Sequence, residues 1–100
     1  MEEYKDLVRG FLSERAYAFR IRSGLTQEVM AERMRISCRA YSDLERGNHC
    51  FSALALLTFL AMFSPEELSA LVLDFRDRLD KFETGELKKP RPPPKRKPRS

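Results

Sequence analysis

The side chains best suited to recognising another molecule lie between Thr26 and Asn48. A helix opening at Cys38 turns about 100° per residue. It would carry Ala40, Tyr41, Leu44 and Glu45 on one side and Cys38, Arg39, Ser42, Asp43 and Arg46 on the other. The second side holds the donors and acceptors. A guanidinium such as that of Arg39 can grip both acceptors of a guanine edge, and a carboxylate such as that of Asp43 can accept from a cytosine amino group. The same carboxylate repels phosphates, so a surface acid that lowers affinity is an equal reading. Gln27 stands in the first turn of the preceding helix, where free backbone amides favour an anion. Thr26, Ser37 and Asn48 are phosphate neighbours or simple cap and turn residues.

Bond-making chemistry finds no such support. Cys38, His49 and Cys50 offer three metal ligands at no familiar spacing. There is no nucleophile–base pair and no phosphate-binding loop, so neither an enzyme nor a cofactor is expected. Two cysteines are too few for a disulfide scaffold, and two free thiols in a reducing compartment are the simpler expectation. Redox sensitivity of Cys38 is the lesser alternative.

The elements that must position these residues all read as helices. Tyr4, Leu7, Val8, Phe11, Leu12, Ala16 and Phe19 form an apolar stripe that predicts a first helix over Glu3 to Arg22, ended by Ser23-Gly24. A second helix follows Thr26 and stops near Arg35, with Val29, Met30, Ala31 and Met34 as its apolar positions. A third starts after Ser37 and closes at Gly47-Asn48. The fourth, Ala53 to Met62, is apolar nearly all round, which predicts that protein surrounds it. Ser64-Pro65-Glu66-Glu67 opens a fifth with a capping box, and Thr84-Gly85 ends it. In that helix Leu68, Val72, Phe75, Leu79 and Phe82 make a heptad-like seam, read either as packing on the chain's own core or as a homodimer contact. No strand pattern occurs.

The net charge of +4 is unevenly spread. Residues 81–100 carry eight Lys/Arg against two Glu, and residues 1–80 carry eleven against thirteen acids. Within the body, residues 15–47 hold seven Arg against four acids, whereas both flanks are acidic. Positive charge is confined to one internal segment and one tail, the pattern of a face turned towards a polyanion. The Pro/Lys/Arg-rich tail cannot bury a core and is expected to be disordered with polyproline character, either solvated or aiding DNA contact. The longest apolar run, Ala53 to Phe63, has 11 residues, short of the roughly 18 needed to span a membrane. The polar, acidic start does not read as a secretory signal. A membrane or secreted protein is therefore not expected.

Two short helices joined by a tight turn, the second with a polar outward face, fit a helix-turn-helix. Gly24-Leu25-Thr26-Gln27-Glu28, Met30-Ala31-Glu32-Arg33-Met34, Ile36-Ser37 and Tyr41-Ser42-Asp43-Leu44-Glu45-Arg46-Gly47 together resemble the Cro/phage-repressor-type (xenobiotic response element) helix-turn-helix family. The resemblance covers about residues 12 to 63, with the helix beginning at Ser52 standing where the family has its fourth, core helix. It implies that the third helix enters the major groove and that Gln27 contacts a phosphate or steadies the reading residues. It also implies that Arg20 pairs with Glu45 to fix the recognition helix. Three positions depart from the family pattern. Arg35 replaces a turn glycine, Tyr41 replaces a β-branched aliphatic, and Leu54, Thr58 and Ala61 replace charged or polar surface residues. The last departure implies a further covering surface, supplied either by residues 4–11 or by a second chain.

The expectation is an all-α chain: a lambda-repressor-like core of four helices plus an extra C-terminal helix within residues 1–83, with the motif at about 26–47 and a disordered basic tail over 84–100. Its expected role is a cytoplasmic, sequence-specific, double-stranded-DNA-binding regulator, homodimeric and not membrane-bound. DNA contacts would come from Gln27, Ser37, Cys38, Arg39, Ser42, Asp43 and Arg46, with Leu68, Val72, Phe75, Leu79 and Phe82 as dimer candidates. The alternative is an interaction module of the antitoxin or assembly-factor kind, whose partner is a protein.

Overall fold

A computed structural model describes residues 2–85. They form five helices and no strand: α1 Glu2–Ser23, α2 Gln27–Met34, α3 Cys38–Glu45, α4 Ala53–Leu60 and α5 Pro65–Glu83. No described helix is long and apolar enough to cross a membrane. The chain divides into two compact units, with the break between Ser64 and Pro65. The helical stretch expected over residues 1–83 thus comprises both units. Of the expected tail, Thr84 and Gly85 form a turn, and residues 86–100 lie outside the described residues.

Local chemistry sets the boundaries in the first unit. Thr26, Ser37 and Ser52 are N-caps in extended conformation. Their hydroxyls accept from the amides of Val29 (3.1 Å), Ala40 (3.0 Å) and Ala55 (3.1 Å). Each such bond satisfies an otherwise open amide and contributes about 1 kcal/mol. Gly24 ends α1 at φ 69°, a left-handed conformation that costs glycine nothing, and Leu25 N–H then closes onto Arg20 C=O at 3.0 Å.

The end of α2 reaches the same geometry without a glycine. Arg35 adopts φ 63°, ψ 36°, and the Ile36 amide donates back to Ala31 C=O at 3.0 Å. This is the wrapped helix end that glycine normally occupies. The Arg35 guanidinium compensates by donating to the open carbonyls of Glu32 (3.2 Å) and Arg33 (2.9 Å).

Helices α1 to α4 share one core of Ala16, Phe19, Met30, Ala31, Met34, Tyr41, Leu44, Ala55 and Phe59. Phe19 stacks on Phe63 at 4.8 Å between ring centroids, and Phe59 meets both edge-on at 5.8 and 5.0 Å. These are the preferred geometries of aromatic pairs. The Thr58 hydroxyl bonds back to Leu54 C=O (2.8 Å) and lies 3.3 Å from Met34 C=O, holding α4 against the end of α2.

Two burial expectations are corrected. Helix α4 is not surrounded: Ala55 and Phe59 are buried, but Leu54 and Leu57 are 55% and 65% exposed. Residues 4–11 therefore do not supply the expected cover. Two turns of helix present one side to the core, and being apolar on the other side does not bring a neighbour to it. In the second unit, Val72 leaves the seam in its reading as packing on the chain's own core. Leu71 is the buried residue, Leu68, Phe75, Leu79 and Phe82 are half-buried, and Val72 is 55% exposed.

The helix end at Arg35 gives a direct test. Arg35→Gly also loses the two guanidinium bonds but removes the larger left-handed strain, and is expected to raise the unfolding free energy by about 0.5 kcal/mol net. Arg35→Ala keeps the strain, loses the two guanidinium bonds and lowers stability. Urea denaturation of the three proteins reads both signs.

Candidate nucleic-acid interface

Glu45 is the last residue of α3, on the side that faces the core. Its carboxylate collects four donors from three elements. Arg20 of α1 binds it through both Nε (2.7 Å to Oε2) and an Nη (3.1 Å to Oε1). The Gln27 amide of α2 donates to Oε1 at 2.8 Å. The Tyr41 hydroxyl, one helical turn back along α3, donates to Oε2 at 2.7 Å. Arg20 also donates to Leu25 C=O at 3.1 Å, tying in the loop between α1 and α2.

The network is largely dry: the Glu45 side chain is 7% exposed and that of Arg20 16%. Burial pushes the Glu45 pKa up, but the hydrogen bonds from Arg20, Tyr41 and Gln27 and the Arg20 charge outweigh it. The carboxyl is held below its ordinary 4.5. Burial first, and then the bond to Glu45, push the Tyr41 phenol well above its ordinary range. The bond to Glu45 likewise raises the Arg20 pKa. The pair is thus charged and the phenol neutral at any physiological pH.

With its inner edge fixed in this way, α3 turns its other side outward. Arg39 is exposed and makes no hydrogen bond or ion pair among the described residues. Arg46 is engaged: it donates to Ser42 Oγ at 2.8 Å and to Asp43 at 2.9 Å, while His49 lies 3.7 Å from the same carboxylate. The α3 surface therefore offers one unbonded guanidinium beside a self-neutralised Asp43–Arg46 pair. Arg39, Asp43 and His49 line an open cleft of about 400 Å³ that runs towards Ser52 at the start of α4.

The other candidate residues are placed as follows. Ser37 is spent as the α3 cap. Gln27 directs its amide N–H at Glu45. Cys38, expected on the outward side, is half-buried and packs against the core cluster. Neither cysteine is in a disulfide. The sequence reading missed the hydroxyl of Tyr41 and the amide of Gln27 as partners of Glu45. Tyr41 and Glu45 stand four apart on one helix face, and that spacing was the available signal. Gln27 and Glu45 are joined only by the tertiary packing of α2 on α3. Comparison of the chain with protein-family models, with curated proteins and with solved structures gives no match in any of the three.

Removing one member of a largely buried charged cluster leaves the rest unsatisfied. Arg20→Ala is expected to destabilise the first unit by about 2–3 kcal/mol in chemical denaturation. The pH dependence has a definite sign. The Glu45 carboxyl is held low in the fold, so its stabilisation is present above about 4.5, its ordinary value, and is lost as the pH falls through the lower folded value. Glu45→Gln should therefore be markedly less stable at neutral pH, with the gap to the native protein closing under acid.

Proposed function

We propose that this chain is a sequence-specific DNA-binding regulator that offers α3 to the major groove, in the manner of the helix-turn-helix family it resembles. The observation that carries the reading is the Glu45 network. Three hydrogen bonds to one carboxylate hold the inner side of α3 to α1 and α2, and a fourth, from Tyr41, steadies the carboxylate within α3. Arg39 is left outward and unbonded among the described residues. A rigid helix carrying a free guanidinium is what bidentate recognition of guanine needs.

In this reading Arg39 contacts a base edge, Ser42 and Arg46 contact the duplex beside it, and Ser37 holds the helix start close to a phosphate. Gln27 acts through Glu45 as a positioning residue. Asp43 competes with phosphates for Arg46 and so restrains sequence-independent binding. The Lys/Arg-rich stretch over residues 88–99 adds a salt-sensitive phosphate attraction. Such a regulator acts in the cytoplasm, as a dimer that meets two half-sites about one helical turn apart.

A second reading, an interaction module with a protein partner, draws on two observations. The Asp43–Arg46 pair quenches much of the positive charge on α3, and α4 carries exposed leucines.

Site selection from random duplex DNA by the full-length protein separates the two, with Arg39→Ala in parallel. The regulator reading expects an inverted repeat. Arg39→Ala should weaken binding by about tenfold to a hundredfold and relax the choice at one base pair in each half, at the usual 1–3 kcal/mol for a bidentate base contact. Recovery of no motif, with only salt-sensitive binding that Arg39→Ala leaves unchanged, would remove the DNA-reading proposal in favour of the interaction module.

A further inference from the structure

We propose that the cleft between α3 and the start of α4 binds a small organic acid, a carboxylate on a compact apolar body, and that Arg39 holds the carboxylate. The lining of the cleft is of two kinds. Ile36, Ala40, Leu44 and Ala55 are apolar, whereas Ser37, Arg39 and Ser52 bring hydrogen-bond donors.

The donors and acceptors fix the sign of the ligand. A guanidinium has only donors to offer, and that of Arg39 makes no hydrogen bond or ion pair among the described residues. The hydroxyl oxygens of Ser37 and Ser52 accept from the amides of Ala40 and Ala55. Each hydroxyl hydrogen is left without an acceptor among the described residues. Asp43 is the one acid on the cleft. It is already bonded by Arg46 at 2.9 Å, and His49 stands 3.7 Å away. Donors are therefore open and the acid is spent. The missing group is an acceptor with negative charge, and a planar carboxylate matches the guanidinium fork.

The apolar residues decide which anion. Inorganic phosphate or the phosphodiester of a duplex also suits a guanidinium. Either would lose hydration of its own oxygens against four apolar side chains. An acid with a ring-sized body covers those side chains and places its charge at Arg39. At about 400 Å³ the cleft is within the range of small-molecule sites, which are mainly apolar with a few convergent polar groups. Arg39 is also the residue assigned above to a base edge. An acid held there withholds it, so acid and DNA weaken each other's binding. That consequence rests on the DNA-binding reading; the acid site does not, and it is measured without DNA.

The test is a nuclear magnetic resonance titration of the isotope-labelled full-length protein at neutral pH and constant ionic strength. Benzoate is the probe, with acetate, benzyl alcohol and inorganic phosphate beside it. Benzoate should move the amide signals of Arg39, Ala40, Asp43 and Cys50 and saturate with a dissociation constant of about 1 mM, as suits so small a ligand. Acetate lacks the apolar body and benzyl alcohol lacks the charge, so each should bind at least about tenfold more weakly. Arg39→Ala changes an exposed residue and should keep the native circular dichroism. It should weaken benzoate binding by about tenfold or more. The proposal is overturned if benzoate leaves these signals in place, or if Arg39→Ala binds it like the native chain. It is equally overturned if acetate or phosphate moves the same signals as strongly, which is attraction of any anion to surface charge, or if benzyl alcohol does so, which is apolar contact alone. None of these failures touches site selection on DNA, and a chain that selects no DNA motif still has its benzoate titration to answer, so the two readings fall separately.

Discussion

A carboxylate that gives up most of its contact with water must be repaid in hydrogen bonds, or it takes up a proton and its charge is lost. Glu45 meets that constraint with donors from α1, α2 and α3 at once. The consequence is geometric as much as energetic. Apolar packing alone is tolerant of small rotations, because dispersion and area burial have no direction. Hydrogen bonds to one small group do have direction, and the three that come from α1 and α2 leave α3 little freedom to roll about its axis. The side of α3 that faces outward is therefore set at its last residue, by a group that is itself largely covered.

The core supports the same result by different means. Tyr41 belongs to both systems: its ring is fully buried among Met30, Met34, Leu44 and their neighbours, and its hydroxyl ends on Glu45. An aliphatic residue at this position would fill the core without adding a donor. The tyrosine trades some ease of packing for a polar tether inside α3 itself, between residues one turn apart.

Much of this was legible in the sequence, and the parts that were not share a cause. Helix boundaries followed from Thr26, Ser37 and Gly24, because caps act on neighbouring amides and need no tertiary information. The apolar stripe of α1 from Phe11 to Phe19 was legible for the same reason. Cys38 is more covered than its outward position suggested, because a helical wheel does not say how far the neighbouring core extends under the helix start. Val72 was misplaced because a seam of fours and threes fits both a 3.5- and a 3.6-residue period over so short a span. Helix α4 shows the most general gap: a fully apolar sequence says that burial would be favourable, and not that the rest of this chain provides it. The polar network was half-legible. The pairing of Arg20 with Glu45 came from family resemblance, whereas the contribution of Gln27 depended on how α2 lies across α3.

The placement of Tyr41 also gives the molecule an optical label. The chain contains no tryptophan and three tyrosines. Tyr4 and Tyr17 are exposed, while Tyr41 is wholly enclosed with its phenol donating to a carboxylate. A phenol bonded in this way absorbs slightly to the red of a hydrated one and emits weakly, since the carboxylate draws its proton in the excited state. Near-ultraviolet absorption and tyrosine emission therefore contain a component that comes from the Glu45 network. The group that orients α3 also reports, without any added probe, whether that orientation is in place.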